Sequence, residues 1–223
     1  MTVRALVFDV FGTLVDWRTG IAAALARSGV VGDPEELADA WRMGFLLATQ
    51  EVVRGDRPWA NVDALHAATL DSLLDVSPEE RGRLVAAWHR LDPWPDVPSG
   101  LEALRTQRVV ATLSNGHIAM LVDMTRHAGL RFDALLSAEL AQTYKAAPAV
   151  YSLAPRYLGL EPHEVMLVAC HPLDLAGARA AGLRSAYVDR PLEHGPGSPV
   201  RADPDADNSA VDLHDLAAQV GNA

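Results

Sequence analysis

From Val109 onward, short apolar runs alternate with stretches of helical spacing. This alternation, more than any other feature, narrows what the chain can fold into. The runs are Val109-Val-Ala-Thr-Leu113, a segment near 134–137, Val165-Met-Leu-Val168 and Arg184-Ser-Ala-Tyr-Val188. Helices are expected at 99–106, 117–128, 147–158 and 173–181. Strands that short, apolar and separated by helices predict a parallel sheet covered on both faces. One further run, Leu6-Val-Phe8, stands near the start and predicts a buried strand over 3–9.

Between that first strand and the others the chain changes character. Residues 17–90 show helical spacing throughout. Ile21, Ala24 and Leu25 share one face, and Leu37, Trp41, Phe45 and Ala48 recur at intervals of about four. Asp33-Pro-Glu-Glu and Ser77-Pro-Glu-Glu each combine an N-cap, a proline at the first helical position and acids in the first turn. Another helix is expected over 60–75. The stretch Leu91-Asp-Pro-Trp-Pro-Asp-Val-Pro-Ser-Gly100 reads as a return linker. The expected fold class is therefore α/β: a doubly wound, Rossmann-like parallel sheet with an all-helical cap inserted after the first strand. The core is assigned to 1–16 and 96–223, and the cap to 17–95. After Pro191 an irregular, Gly- and Pro-rich loop is expected to about 208, then a last helix near 211–219.

Composition excludes some functions. The 223 residues carry a formal net charge of −10, from 29 acidic and 19 basic side chains. Phosphate backbones demand a basic face, so no nucleic-acid partner is expected. A small anionic substrate needs only a few local cations and stays open. Cys170 is the only cysteine, so no internal disulfide is possible, which fits a reducing compartment. No signal peptide is read at the start, and no apolar run approaches the roughly 18 residues of a membrane span. The expectation is a cytoplasmic protein with no membrane contact.

Chemistry-bearing residues gather where the expected strands end. Asp9 follows the first strand and leads into Val10, Phe11, Gly12 and Thr13. Ser114-Asn115-Gly116 follows the second. Lys145 lies in Gln142-Thr-Tyr-Lys-Ala-Ala-Pro148, after the third. His171 and Asp174 lie in Ala169-Cys-His-Pro-Leu-Asp174, after the fourth. Ligands of doubly wound sheets bind at the carboxyl ends of the strands, where residues far apart in sequence converge. Each piece has a plainer reading. An aspartate at a strand end is commonly structural, Ser114-Asn-Gly serves as a turn and helix cap, and Asp174 suits a helix N-terminus. Cys170 reads as a small buried residue, and Trp41, Trp59, Trp88 and Trp94 read as packing. The histidines show no metal-ligand spacing, so no zinc site is expected.

Taken in order, Phe8-Asp-Val-Phe-Gly-Thr-Leu-Val-Asp-Trp17, Leu113-Ser-Asn-Gly116, Tyr144-Lys-Ala-Ala-Pro-Ala-Val-Tyr151 and His171-Pro-Leu-Asp174 resemble the haloacid dehalogenase (HAD) superfamily. Within it the chain looks most like the type II L-2-haloacid dehalogenases, over residues 4–197. The resemblance implies hydrolysis of 2-haloacids by an aspartate nucleophile, Asp9, through an aspartyl ester. Lys145 keeps Asp9 ionised, and Asp174 holds Lys145. Thr13 and Ser114 hydrogen-bond the nucleophile or the substrate carboxylate, aided by backbone N–H groups of Val10 and Phe11. Arg42 and Asn115 match halide contacts, and Tyr151 matches a site tyrosine. The resemblance also implies no cofactor, no metal and a possible homodimer. Superfamily phosphatases carry a second acid where this chain has Phe11, and they hold Mg²⁺ with acids in the fourth motif. Halide leaves without a proton, so neither is required. The chain departs from the family in Ala169, His171 and Leu173; His171 is read as a replacement for an asparagine or as a base near its usual pKa of about 6.5. The rival expectations are an atypical HAD phosphatase acting on a small phosphorylated metabolite and a non-catalytic HAD-fold binding protein.

Overall fold

The computed structural model describes residues 2–198 and 202–221. Positions 199–201 of the expected irregular loop, and positions 1, 222 and 223 of the expected core, lie outside the described residues.

Strand β1 (Ala5–Phe8) opens the chain. Four helices follow: α1 (Trp17–Ser28), α2 (Pro34–Arg54), α3 (Val62–Leu73) and α4 (Pro78–Ala87). Their starts are capped by side chains that accept from orphan backbone N–H groups: Asp16 from Thr19, Asp33 from Glu35 and Glu36, Asn61 from Ala64, and Ser77 from Glu80. Trp41, Phe45 and Ala48 bury one stripe of α2, as their spacing predicts. The chain then runs through α5 (Val97–Arg105), β2 (Val109–Ser114), α6 (Ile118–His127), β3 (Ala134–Ser137), α7 (Pro148–Tyr151), α8 (Leu153–Leu158), β4 (Val165–Ala169), α9 (Pro172–Ala180), β5 (Arg184–Val188), β6 (Asn208–Ala210) and α10 (Leu213–Gly221).

The six strands form one parallel sheet in the order β3-β2-β1-β4-β5-β6. Every residue of β1 and β4 is buried, which is the signature of a sheet covered on both faces. After β1 the chain moves to one side of it for β2 and β3, then returns to the other side for β4, β5 and β6. The crevice beside β1 is thus the switch point of the sheet. Register aligns the strand ends there: Phe8 pairs with Thr112 on one side and Val168 on the other.

Two expectations need correction. The helix read over 147–158 is two short helices that meet at Ser152, with Pro155 unable to donate a backbone bond. No strand was expected between the loop ending near 208 and the last helix, where β6 lies; its three residues are too few to show a period of two.

The chain passes between sheet and helices twice, at neighbouring points. Val15 and Pro93 form an antiparallel bridge. Asp16 N–H donates to Asp92 C=O (2.9 Å), and Trp94 N–H donates to Leu14 C=O (3.0 Å). Trp94 Nε1 adds a bond to Gly12 C=O at 2.8 Å.

Candidate active site

Asp9 leaves the end of β1 with its backbone N–H still bonded to Val168 C=O, 3.0 Å. That bond fixes where the side chain emerges. Its carboxylate is nearly buried, so both oxygens need partners. Oδ1 accepts from Lys145 Nζ at 3.1 Å. Oδ2 accepts from Thr13 Oγ1 at 2.9 Å and lies 3.1 Å from His171 Nδ1. Burial alone would raise the Asp9 pKa. Lys145, then His171 and Thr13, outweigh it and hold the carboxyl far below the usual range.

Lys145 also donates to Asp174 Oδ2 at 2.6 Å. Burial disfavours its ammonium, yet the charges of Asp174 and Asp9 keep it above its ordinary pKa. Burial pushes the Asp174 carboxyl up against the pull of Lys145, and the nearby Asp9 charge pushes the same way. Tyr151 Oη donates to Asp174 Oδ1 at 2.8 Å, so this tyrosine is more than packing. Gly177, on α9, makes the contact possible, because a Cβ there would strike the phenol oxygen.

Ser114 and Asn115 serve the scaffold in this geometry. Ser114 Oγ accepts from Gly116 N–H (3.1 Å); a bond to Asp9 or to the substrate carboxylate was expected of it. That bond uses a lone pair of the serine oxygen, not its proton, and helps turn the chain into α6. Asn115 Oδ1 accepts from Lys145 N–H at 2.9 Å and so anchors the lysine loop. Val10 and Phe11 are buried beside Asp9. The phenyl ring of Phe11 packs against Trp88, with ring centroids 6.2 Å apart.

Arg42 projects from α2 into an aromatic cage. Its guanidinium carbon lies 5.5 to 5.9 Å from the ring centroids of Phe11, Trp17, Phe45 and Trp88. Cation–π attraction offsets part of its desolvation. Among the described residues no carboxylate lies within ion-pair distance of it. Trp88 therefore helps enclose a charged group, where plain packing was expected. His66 stacks between Phe45 and Trp88, 4.2 and 4.1 Å away, and burial keeps its imidazole well below its ordinary pKa and neutral.

Two residues escaped the sequence reading. Glu193 Oε1 accepts from His171 Nε2 at 2.8 Å and from Trp17 Nε1 at 3.3 Å. Burial would raise Glu193, but His171, with His194 and Arg42, brings it down to about 2. His171 is consequently no base near its ordinary pKa. Burial opposes its charge, yet the hydrogen bonds to Asp9 and Glu193 hold it well above 6.5 as an imidazolium. The Cys170 thiol, itself pushed up by burial, stays neutral and lends no charge. Gly12, at φ 90°, lets Glu193 approach; any side chain there would collide with the carboxylate.

Arg190 is the second. It donates to Thr13 C=O at 2.7 Å and forks onto Asp96 at 2.9 and 3.0 Å. It thus joins the nucleophile loop to the start of α5. Arg190→Met leaves Asp96 without its guanidinium in a part-buried site. The expected cost is about 3–5 kcal/mol of stability, measured by urea unfolding.

The resting site balances three carboxylates (Asp9, Asp174, Glu193) against three cations (Lys145, His171, Arg42). Mg²⁺ does not fit it. Both Asp9 oxygens already face cations, Phe11 fills the place of a second acid, and Mg²⁺ demands an octahedron of oxygens. Two other groups bring metal-ligand atoms together: Cys170, His171 and Glu193 in the site, and Asp63, His89 and His117 outside it. The histidine spacing hid both, because topology alone unites them. An open cleft of about 360 Å³ around Val3, Arg108, Arg184 and Asp207 lies at the opposite, amino end of the strands, away from this chemistry.

The parallel sheet thus holds a buried, ionised aspartate just beyond its first strand, where doubly wound sheets bind their ligands. Residues 3–182 match the haloacid dehalogenase-like hydrolase model, and the chain belongs to that family. It is 31% identical to the (S)-2-haloacid dehalogenase of Pseudomonas sp. (strain YL), over 84% of this chain and 83% of that protein. The L-2-haloacid dehalogenase PA0810 superposes with a TM-score of 0.93 at 44% identity, covering 99% of this chain and 100% of that one. The L-2-haloacid dehalogenase of Xanthobacter autotrophicus with chloropropionic acid covalently bound superposes with a TM-score of 0.86 at 28% identity, covering 99% of each chain.

Proposed function

We propose that this hydrolase acts on carbon–halide bonds, converting short 2-haloalkanoic acids to 2-hydroxy acids through an ester on Asp9 and without a metal. The observation that carries the reading is the Asp9 carboxylate, held ionised between Lys145 and His171 with no second acid at position 11. An ionised carboxylate is a nucleophile, and a neighbour that cannot give a proton suits a leaving group that needs none. One Asp9 oxygen attacks C2 from the side opposite the halogen. The C–X bond breaks, halide leaves with the electron pair, and C2 inverts. Arg42, free of a carboxylate partner, is the cation for the departing halide, with Asn115 nearby on the sheet side. Backbone N–H groups of Val10 and Phe11, with Thr13 and Ser114, take the substrate carboxylate.

Water then attacks the carboxyl carbon of Asp9, and the hydroxy acid departs with the oxygen that had attacked. In the ester Asp9 has lost its charge, so His171 has lost one of its two carboxylate partners. It keeps both protons, Nε2–H on Glu193 and Nδ1–H toward the ester oxygen, and so polarises the carboxyl carbon. The proton that water loses passes to Asp174 and on to the departing hydroxyl oxygen. Asp174, steadied by Lys145 and Tyr151, orients the attack. Residues 17–95 act as the lid that excludes water while the ester forms. Pairing of two copies belongs to the same reading: Met43 and Leu47, one turn apart on α2, are 57% and 53% exposed. A lone, buried Cys170 supports a reducing, cytoplasmic setting. No helix among the described residues is long and apolar enough to cross a membrane.

The test follows free halide after the EDTA-treated protein meets each enantiomer of 2-chloropropionate, and fluoroacetate. A parallel arm offers a generic phosphate ester with Mg²⁺. Halide release supports the reading; phosphate release with no halide from any short haloacid overturns it.

His171→Asn makes a separate prediction. A folded pKa above the unfolded one contributes stability fully below about pH 6.5 and loses it as pH rises through the folded value. The wild type should therefore melt higher than His171→Asn in mild acid, with the gap closing in alkali. Thermal melts across pH read this directly. A gap that widens with pH would mean that His171 is neutral in the fold.

A further inference from the structure

We propose that Asp63, His89 and His117 form a binding site for Zn²⁺ that fastens the helical segment to the sheet, apart from the Asp9 constellation. Asp63 lies on α3 and His89 just beyond α4. His117 precedes α6, two residues after Asn115. One donor atom from each lies within 4.8 Å of the other two. His89 Nε2 is 3.0 Å from Asp63 Oδ1, and His117 Nε2 is 3.5 Å from Asp63 Oδ2. The two ring centroids are 5.5 Å apart.

Three features fit a metal better than a hydrogen-bond network. His117 is only 6% exposed, and its Nδ1 is buried with no hydrogen-bond partner. Its Nε2 points at the carboxylate from beyond good hydrogen-bond distance, so hydrogen bonds do not explain why this imidazole is buried here. His89 has the second feature. Its Nδ1 lies 2.9 Å from Asp123 Oδ2, leaving Nε2 toward the cluster. An outer carboxylate on the far nitrogen is how metal-binding imidazoles are oriented. The third is access: the Asp63 side chain is 34% exposed, which gives an ion its entry path. Two imidazoles and one carboxylate suit Zn²⁺, with water completing a tetrahedron. They are too poor in oxygen for Mg²⁺ or Ca²⁺.

Occupancy would tie α3 and the end of α4 to the start of α6. The ion would thus hold the helical segment closed over the loop that carries Asn115. The test uses the full chain after EDTA treatment and dialysis. Zn²⁺ is titrated by calorimetry and Co²⁺ by visible absorption. We expect one equivalent per chain, a ligand-field spectrum of low coordination number, and a higher Tm with Zn²⁺. Asp63→Asn and His89→Gln should each weaken binding about tenfold or more, and Asp123→Asn about tenfold. Circular dichroism of the metal-free variants checks that each folds, and Asp63→Asn serves if buried His117→Gln does not. Cys170→Ser should bind as the wild type does. No binding, binding unmoved in Asp63→Asn and His89→Gln, or binding lost in Cys170→Ser would each overturn the site.

Discussion

Asp9→Asn is expected to lower halide release by about 10⁴-fold or more while the protein stays folded. The amide keeps the shape of the carboxylate but cannot attack carbon as an anion. Removing a covalent nucleophile takes away the reaction path itself, so no other site residue compensates. The measurement is halide release from 2-chloropropionate, with circular dichroism to show that the fold survives. Turnover near the wild-type rate would remove Asp9 from the mechanism. A single wild-type turnover in ¹⁸O-water sharpens the test. With an Asp9 ester, water attacks the enzyme's own carboxyl carbon, so label enters the protein first. Direct attack of water on the substrate would put it in the product at once.

Lys145→Met carries the second largest effect, on stability and activity together. The Lys145 side chain is 8% exposed and bonds both Asp9 and Asp174, which are about as buried. The variant leaves two neighbouring carboxylates with one cation fewer. Breaking a buried pair from one side costs about 3–5 kcal/mol. Two like charges that close cannot both stay ionised cheaply, so one takes up a proton. The sign for Asp9 follows from its depressed folded pKa. Its stabilisation is present above the unfolded value near 3.8 and lost as pH falls through the folded one. Without Lys145 that loss moves to higher pH. The variant should therefore unfold in milder acid, and residual activity should show an acid limb the wild type lacks. Urea melts and kcat/KM across pH test both; an unchanged acid profile would separate Lys145 from the ionisation of Asp9.

Much of this was legible before any coordinates. The strand–helix alternation and the caps at Asp33 and Ser77 are local signals, and local signals survive folding. Asp9 was readable because it directly follows an apolar run, and Lys145 and Asp174 because they lie in the segments that follow later strands, where topology brings strand ends together. What stayed hidden depends on contacts with no local signature. Glu193 and Arg190 sit in or beside a loop whose composition says only that it is irregular, yet they reach back more than 170 residues to Gly12 and Thr13. A glycine at 12, needed for the approach of Glu193, was the one available hint. The charge state of His171 was hidden for the same reason, since it depends on Glu193. Ser114 shows that a strand-end hydroxyl can also serve its own turn, since it accepts from Gly116 N–H at the start of α6.

The paired crossings at Val15 and Pro93 bear on how such a protein changes over evolutionary time. Entry and exit of the helical stretch lie side by side, already bonded as neighbours. To the sheet, everything between them is one long loop with fixed ends, and loop-closure entropy grows only slowly with length. Insertions are best tolerated at such places. The stretch can therefore be exchanged whole, like a cassette, while Asp9, Lys145 and Asp174 keep their positions on the strands. Arg42 would be replaced with the cassette and the nucleophile would not. Arg42 and Asp9 thus lie on separately replaceable parts of one chain.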